Sequence, residues 1–252
     1  MTRSGDFSGK DLRGRVFSRE SFIGANFNGA KLDGARFDEC DLSNATFWET
    51  SLREAVLSNA YAVAANFTRA DLQGADLQRA NLSSCNFTES NLEKTAGYYA
   101  NLSEASLEKC NLRNAALWYT NLSGALMGSQ LAYAEFVGAT LESVDVWPLG
   151  ECKHDDSSFF QAKLIGVSFQ TASFCRAKFD QAHLKDVSFA DFTNGHSDFS
   201  GASFRNATLQ NVSFYDADLT DTSFLGATLT ETDLSDARFS NTTMPDGSIR
   251  SS

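Results

Sequence analysis

Only two prolines, Pro148 and Pro245, and three histidines, His154, His183 and His196, occur in 252 residues. So few imidazoles leave little general-base capacity, and no Gly-rich phosphate loop, nucleophile elbow or HExxH motif accompanies them. Neither an enzyme nor a cofactor is expected. The five cysteines are odd in number and form no CxxC pair, which excludes a recognisable disulfide framework or zinc motif. No apolar run approaches the roughly 20 residues that cross a bilayer. The opening MTRSGDFSGK also lacks the apolar core of a signal peptide. These absences lead to the expectation of a cytoplasmic protein without a membrane partner. Basic residues are scarce too: 21 Lys and Arg face 32 Asp and Glu, for a net charge of -11. Direct nucleic-acid binding, which needs clustered cations against phosphates, is therefore not expected.

What the chain has is a period of five. In NFTRADLQGADLQRANLSSCNF, Phe67, Leu72, Leu77, Leu82 and Phe87 recur every fifth residue, each preceded by Asn or Asp and, two places earlier, by Ala or Cys. One register runs from Phe7 to Met127, a second from Leu131 to Val146, and a third from Phe159 to Met244. Together they hold 47 centres, of which 22 are Leu and 19 are Phe, and those 19 are nearly all of the 21 Phe in the chain. A one-in-five class could not collect them by accident.

Five steps of a helix do not close on one stripe. A strand would send successive centres to opposite faces. A coil that turns a corner at each repeat does fit: every repeat forms one side of a square, every centre points to the axis, and the small residue two places earlier shares the interior. Cys40, Cys85 and Cys110 occupy that small position and read as buried free thiols.

The pattern A(D/N)LXX, present as ADLQG, ANLSS, ANFTR and ATLTE, resembles the pentapeptide-repeat proteins over about residues 7 to 244. The resemblance implies an all-β fold, a right-handed quadrilateral β-helix of about twelve coils. The ending TTMPDG is similar to that of cyanobacterial members of the family. The boundaries expected are a single solenoid over 1–246, with an insertion at about 147–156, and a polar tail over 247–252. A monomer or weak dimer is expected, because no evident hydrophobic C-terminal segment follows the repeats.

The irregularities carry their own expectations. Lys10, Arg15 and Glu20 stand where Ala belongs in the first coil, predicting a distorted polar cap. Met127 to Leu131 spans four residues, predicting a tightened corner. Val146 to Phe159 spans thirteen, predicting that WPLGECKHDD leaves the wall as a loop that could be deleted over 148–155 without harm to the fold. Asn194, the polar centre, predicts a bulge, and the hole at Gly97 is expected to be filled by a neighbouring tyrosine.

Residues twenty apart lie on the same side of adjacent coils, so Tyr98 pairs with Trp118 and Tyr99 with Tyr119. These four aromatics, with the loop residues Trp147, Leu149, Lys153, His154, Asp155 and Asp156, form the candidate partner-binding surface. Stacked aromatics also stabilise neighbouring strands, and that simpler role stays open. Cys152, His154, Asp155 and Asp156 match no established metal-ligand spacing, so no metal site is expected.

The charge is uneven. Residues 121–252 hold 17 acidic against 8 basic side chains, while 1–120 hold 15 against 13. Two readings follow: a non-enzymatic scaffold that binds another protein, or a DNA mimic that binds a type II topoisomerase, DNA gyrase, and protects it from inhibitors. The second is implied by resemblance to plasmid quinolone-resistance members of the family.

Overall fold

The computed structural model describes residues 5–146, 152–169, 172–189 and 196–251. Among them there is no helix, and so none long and apolar enough to cross a membrane. The chain winds as a right-handed quadrilateral β-helix whose coils pair in parallel. One wall can be followed from end to end through Asp6, Asn26, Thr46, Asn66, Asn86, Ser106, Leu126, Asp145, Ser168, Ser188, Ser213 and Asp233.

The five positions of a repeat have distinct work. The centre and the small residue two places before it are buried, as with Phe67 and Ala65. Rings of successive coils lie flat on one another: Phe47, Phe67 and Phe87 are 4.7 and 5.0 Å apart and nearly coplanar. The same occurs at Phe159, Phe179 and Phe204, at 4.8 Å each. The residue before the centre bridges to the next coil, and its Asn or Asp side chain accepts the backbone N–H two residues on, as Asn66 does from Thr68 and Asp76 from Gln78. That local bond explains the (D/N) of the motif.

The last position of the repeat takes positive φ, as at Arg69, Glu89 and Tyr119. Its cost is offset because the same residue's N–H donates into the ladder, for example from Arg69 to the Thr88 carbonyl at 2.9 Å. Donors at the small position also find partners. Thr50, Cys85, Cys110 and Thr222 each reach a carbonyl twenty-three residues earlier. Cys40, Cys85 and Cys110 are buried free thiols, and burial pushes the Cys85 and Cys110 thiols up to about 12.

Several irregularities differ from expectation. The first coil is not distorted: Asp6, Asp11, Val16 and Ser21 keep the regular bridges to the second. Lys10 does help to cover the open end, lying over the Phe7 ring at 5.1 Å and donating to the Asp6 carbonyl. At Gly97 the hole is taken by Leu117 rather than a tyrosine, since a Cβ there would stand 2.6 Å from Leu117 Cδ2. The four-residue step is a corner pulled inward: Met127, Gly128 and Ser129 are all buried, and the pairing shifts by one between Glu108 and Asn111.

The largest correction concerns His154. Strand Cys152–Lys153 pairs with Ala172–Ser173, so the wall resumes at 152. His154 is then a repeat centre, fully buried, with its ring 5.0 Å from that of Phe174. Val146 to His154 spans eight residues, so the insertion is three residues rather than eight, and deleting 148–155 would remove a core side chain. The expected bulge at Asn194 lies outside the described residues. On either side of it the coil length rises from 20 to 25, since Phe174 stacks on Phe199 and Phe179 on Phe204.

Candidate partner-binding surface

The aromatic residues at the corner after Gly97 and Leu117 form two short columns. Tyr99 and Tyr119 are stacked at 5.1 Å with planes 10° apart. The Arg79 guanidinium lies 6.0 Å from the Tyr99 ring centre, at one end of the column. At the other end Tyr119 lies against Gly138, where an added Cβ would come within 2.5 Å of the ring. Tyr98 and Trp118 make the second column, edge to face at 5.1 Å. Trp118 Nε1–H donates to Glu135 at 2.6 Å, fixing the indole.

Backbone register sets this arrangement. Tyr99 N donates to the Trp118 carbonyl and Tyr119 N to that of Val137, both within 2.9 Å. Tyr99, Tyr119 and Trp118 still expose 58%, 47% and 37% of their surface, so rings held from both sides offer their edges and hydroxyls to solvent.

The other predicted residues are placed differently. Trp147 and Leu149 lie outside the described residues, and Lys153 belongs to a strand whose side chains are not described. Asp155 and Asp156 occupy the turn after His154 on the adjoining wall. They line a surface cavity of about 230 Å³ together with Arg113, Gln130, Tyr133 and Arg176. Asp155 accepts from Ser173 Oγ at 2.5 Å and from Cys175 N at 3.2 Å. Asp156 accepts from Arg176 Nε and Nη2, at 2.9 and 2.6 Å, and that hydrogen bonding lowers its pKa. Both carboxylates are therefore engaged within the wall. Among the described residues no group of three or more His, Cys, Asp or Glu is arranged to hold a metal ion.

Models of protein families match most of the chain: a pentapeptide repeat region over 20–96, and pentapeptide repeats (8 copies) over 98–128, 110–147, 155–194, 197–236 and 209–244. The chain belongs to the pentapeptide repeat family. It is 28% identical to HetL, a pentapeptide repeat protein involved in heterocyst differentiation regulation from the cyanobacterium Nostoc sp. strain PCC 7120, over 96% of this chain and 92% of that one, with a TM-score of 0.33. It is 19% identical to QnrB1, a plasmid-mediated fluoroquinolone resistance protein, over 73% and 86% of the two chains, with a TM-score of 0.47. Rfr23, from the cyanobacterium Cyanothece 51142, is 26% identical over 57% and 91%, with a TM-score of 0.24. No curated protein sequence matches the chain.

Within this pentapeptide repeat solenoid, simple twenty-residue arithmetic misses part of the surface. The residue following Trp118 in its column is Val137, and the next is Phe160, both half-buried. Tyr133, 47% exposed with the Arg113 guanidinium 5.5 Å from its ring centre, adds an aromatic on the neighbouring corner. A register that counts the one-residue deletion before Leu131 and the three-residue insertion before His154 recovers all three.

Gly138 supplies a direct test of the clamp. Its φ is +61° and its missing Cβ is where Tyr119 lies. Gly138→Val should cost about 1–3 kcal/mol from left-handed strain and displace the Tyr119 ring. Urea unfolding and the tyrosine near-UV circular dichroism signal report the two effects separately.

Proposed function

We propose that the protein is a non-enzymatic scaffold that binds another protein through the aromatic ladder at Tyr98, Tyr99, Trp118 and Tyr119, extended by Tyr133 and Phe160. The observation that carries this reading is the combination of exposure with immobility. Four aromatic side chains reach solvent while Arg79, Gly138 and Glu135 hold three of them in place. Aromatic anchors dominate protein interfaces. Here neither backbone nor rings need much ordering on binding, so little of the contact energy is lost to entropy.

The test is affinity capture from the native host with wild type, Trp118→Ser/Tyr119→Ser and the remote control Gln181→Ser. An anchor contributing about 2 kcal/mol corresponds to roughly thirtyfold in affinity. Partners recovered by wild type and control should drop out with the double variant. Equal recovery by all three would reject this surface.

A second reading rests on the acidic half of the chain. Asp198 and Asp218 stand in register on neighbouring coils through a backbone bridge, so their half-buried carboxylates repeat at the strand spacing, a regular array that a DNA-binding saddle could accept in place of phosphates. Gyrase supercoiling in the presence of ciprofloxacin tests it. Neither inhibition nor protection at micromolar protein would remove the idea.

A further inference from the structure

His154 stands where every neighbouring coil places a hydrocarbon. Its backbone is satisfied, with N–H donating to the Ser173 carbonyl at 2.8 Å and the carbonyl accepting from Ser157 N at 3.2 Å. Its ring is not: among the described residues neither Nδ1 nor Nε2 has a hydrogen-bond partner, and the buried Ser157 hydroxyl three residues on is unpartnered as well. The ring packs against Phe174 at 5.0 Å and Phe169 at 6.4 Å, which offer no acceptor.

Among the described residues, the carboxylates of the turn beside His154 are committed elsewhere. Asp155 is held by Ser173 and Cys175, and Asp156 by Arg176. On the coil above, the partly buried Cys175 thiol is raised by burial. On the coil below, the Tyr133 ring is covered by Arg113 from one coil further down, across the cavity. Among the described residues, no carboxylate hydrogen-bonds the imidazole. Burial alone holds its pKa down to about 4, so the neutral ring is stable in place and the charged ring is not.

We propose that the coil segment 152–158 is an acid-sensitive latch. A proton taken from solvent by the His154 imidazole expels the ring from the core and opens the wall there, while the hydrocarbon-filled coils on either side stay closed. A charge cannot remain unpaired among phenylalanines, and the flanking stacks at Phe136 on Phe159 and Phe179 on Phe204 contain no titratable centre. Opening would release the Tyr133 N–H from the Asp155 carbonyl and dismantle the cavity wall formed by Asp155 and Asp156. This inference does not depend on any binding partner.

The experiment is hydrogen exchange by mass spectrometry on the full chain at pH 7 and pH 4.5, corrected for intrinsic exchange rates, in wild type, His154→Leu and His154→Phe. Linkage between an open-state pKa near 6.5 and the depressed closed-state value gives a loss of protection on the order of 50-fold at pH 4.5. That loss should appear in peptides covering 152–158 and be absent from 60–100. Either variant should abolish it. Unchanged protection in the wild type, or an equal loss in a folded variant, would overturn the latch. Should neither variant fold, NMR titration of the wild-type His154 ring decides the matter. Titration in step with the loss of protection supports the proposal, and titration near pH 6.5 without loss refutes it.

Discussion

Phe179→Ala should destabilise the protein by about 3–5 kcal/mol. Phe179 is fully buried, and its ring lies between those of Phe159 and Phe204 at 4.8 Å on both sides. Truncation removes the transfer energy of the ring and leaves a void that the neighbours cannot close. Their backbones are fixed by ladder bonds such as Phe179 N to the Ser203 carbonyl at 2.7 Å. A helix could shift its axis to collapse such a cavity; a coil bonded above and below cannot follow. The measurement is urea unfolding monitored by far-UV circular dichroism, with Gln181→Ala as the outward control two residues on. The control should stay within about 0.5 kcal/mol of wild type.

His154→Leu should have the opposite sign. The variant removes two unpartnered ring nitrogens from the core, worth about 2 kcal/mol at pH 7. The pH dependence follows from the lowered pKa. Between about pH 6.5 and about 4 the unfolded chain carries a proton on His154 that the folded chain refuses. Stability contributed by the neutral ring is therefore whole above pH 6.5, falls as pH drops, and levels off near 4. The loss amounts to about 3 kcal/mol over that window. His154→Leu lacks it, so the gap between variant and wild type should widen by that amount on going from pH 7 to pH 4. A constant gap would mean that the imidazole is hydrated or paired.

These two positions also show what a sequence makes legible. Phe179 could be placed from the repeat alone, because an inward position with one side chain per coil accepts a narrow range of sizes and shapes. Tyr98 over Trp118 and Tyr99 over Tyr119 could be paired for the same reason, with no interruption between their coils. His154 could not. It follows an insertion that hides its register, and a polar residue before two aspartates reads as a solvated loop. Its neighbour Cys152 at the small position and Asp156 at the positive-φ corner complete a repeat that lacks only the apolar centre. Val137 and Phe160 were hidden by the same two register shifts. Tyr133 lies at a corner whose geometry depends on the shortened step at Met127–Leu131, which spacing alone cannot convert into coordinates.

The outward wall is less readable for a physical reason. Its ion pairs, such as Arg69 with Glu89 at 2.8 Å and Arg19 with Glu39 at 3.1 Å, are largely solvated and each contributes little. Folding therefore leaves those positions open to many side chains, and recognition surfaces can be written there without disturbing the core.

An alanine scan from Phe174 to Leu184, read as thermal stability, tests the central claim most directly. Large losses at Phe174, Phe179 and Leu184, with small changes at Arg176, Lys178, Gln181 and His183, are the result expected when one side chain in five fills the axis. Losses recurring at every second residue, or at the spacing of a helix face, would contradict it.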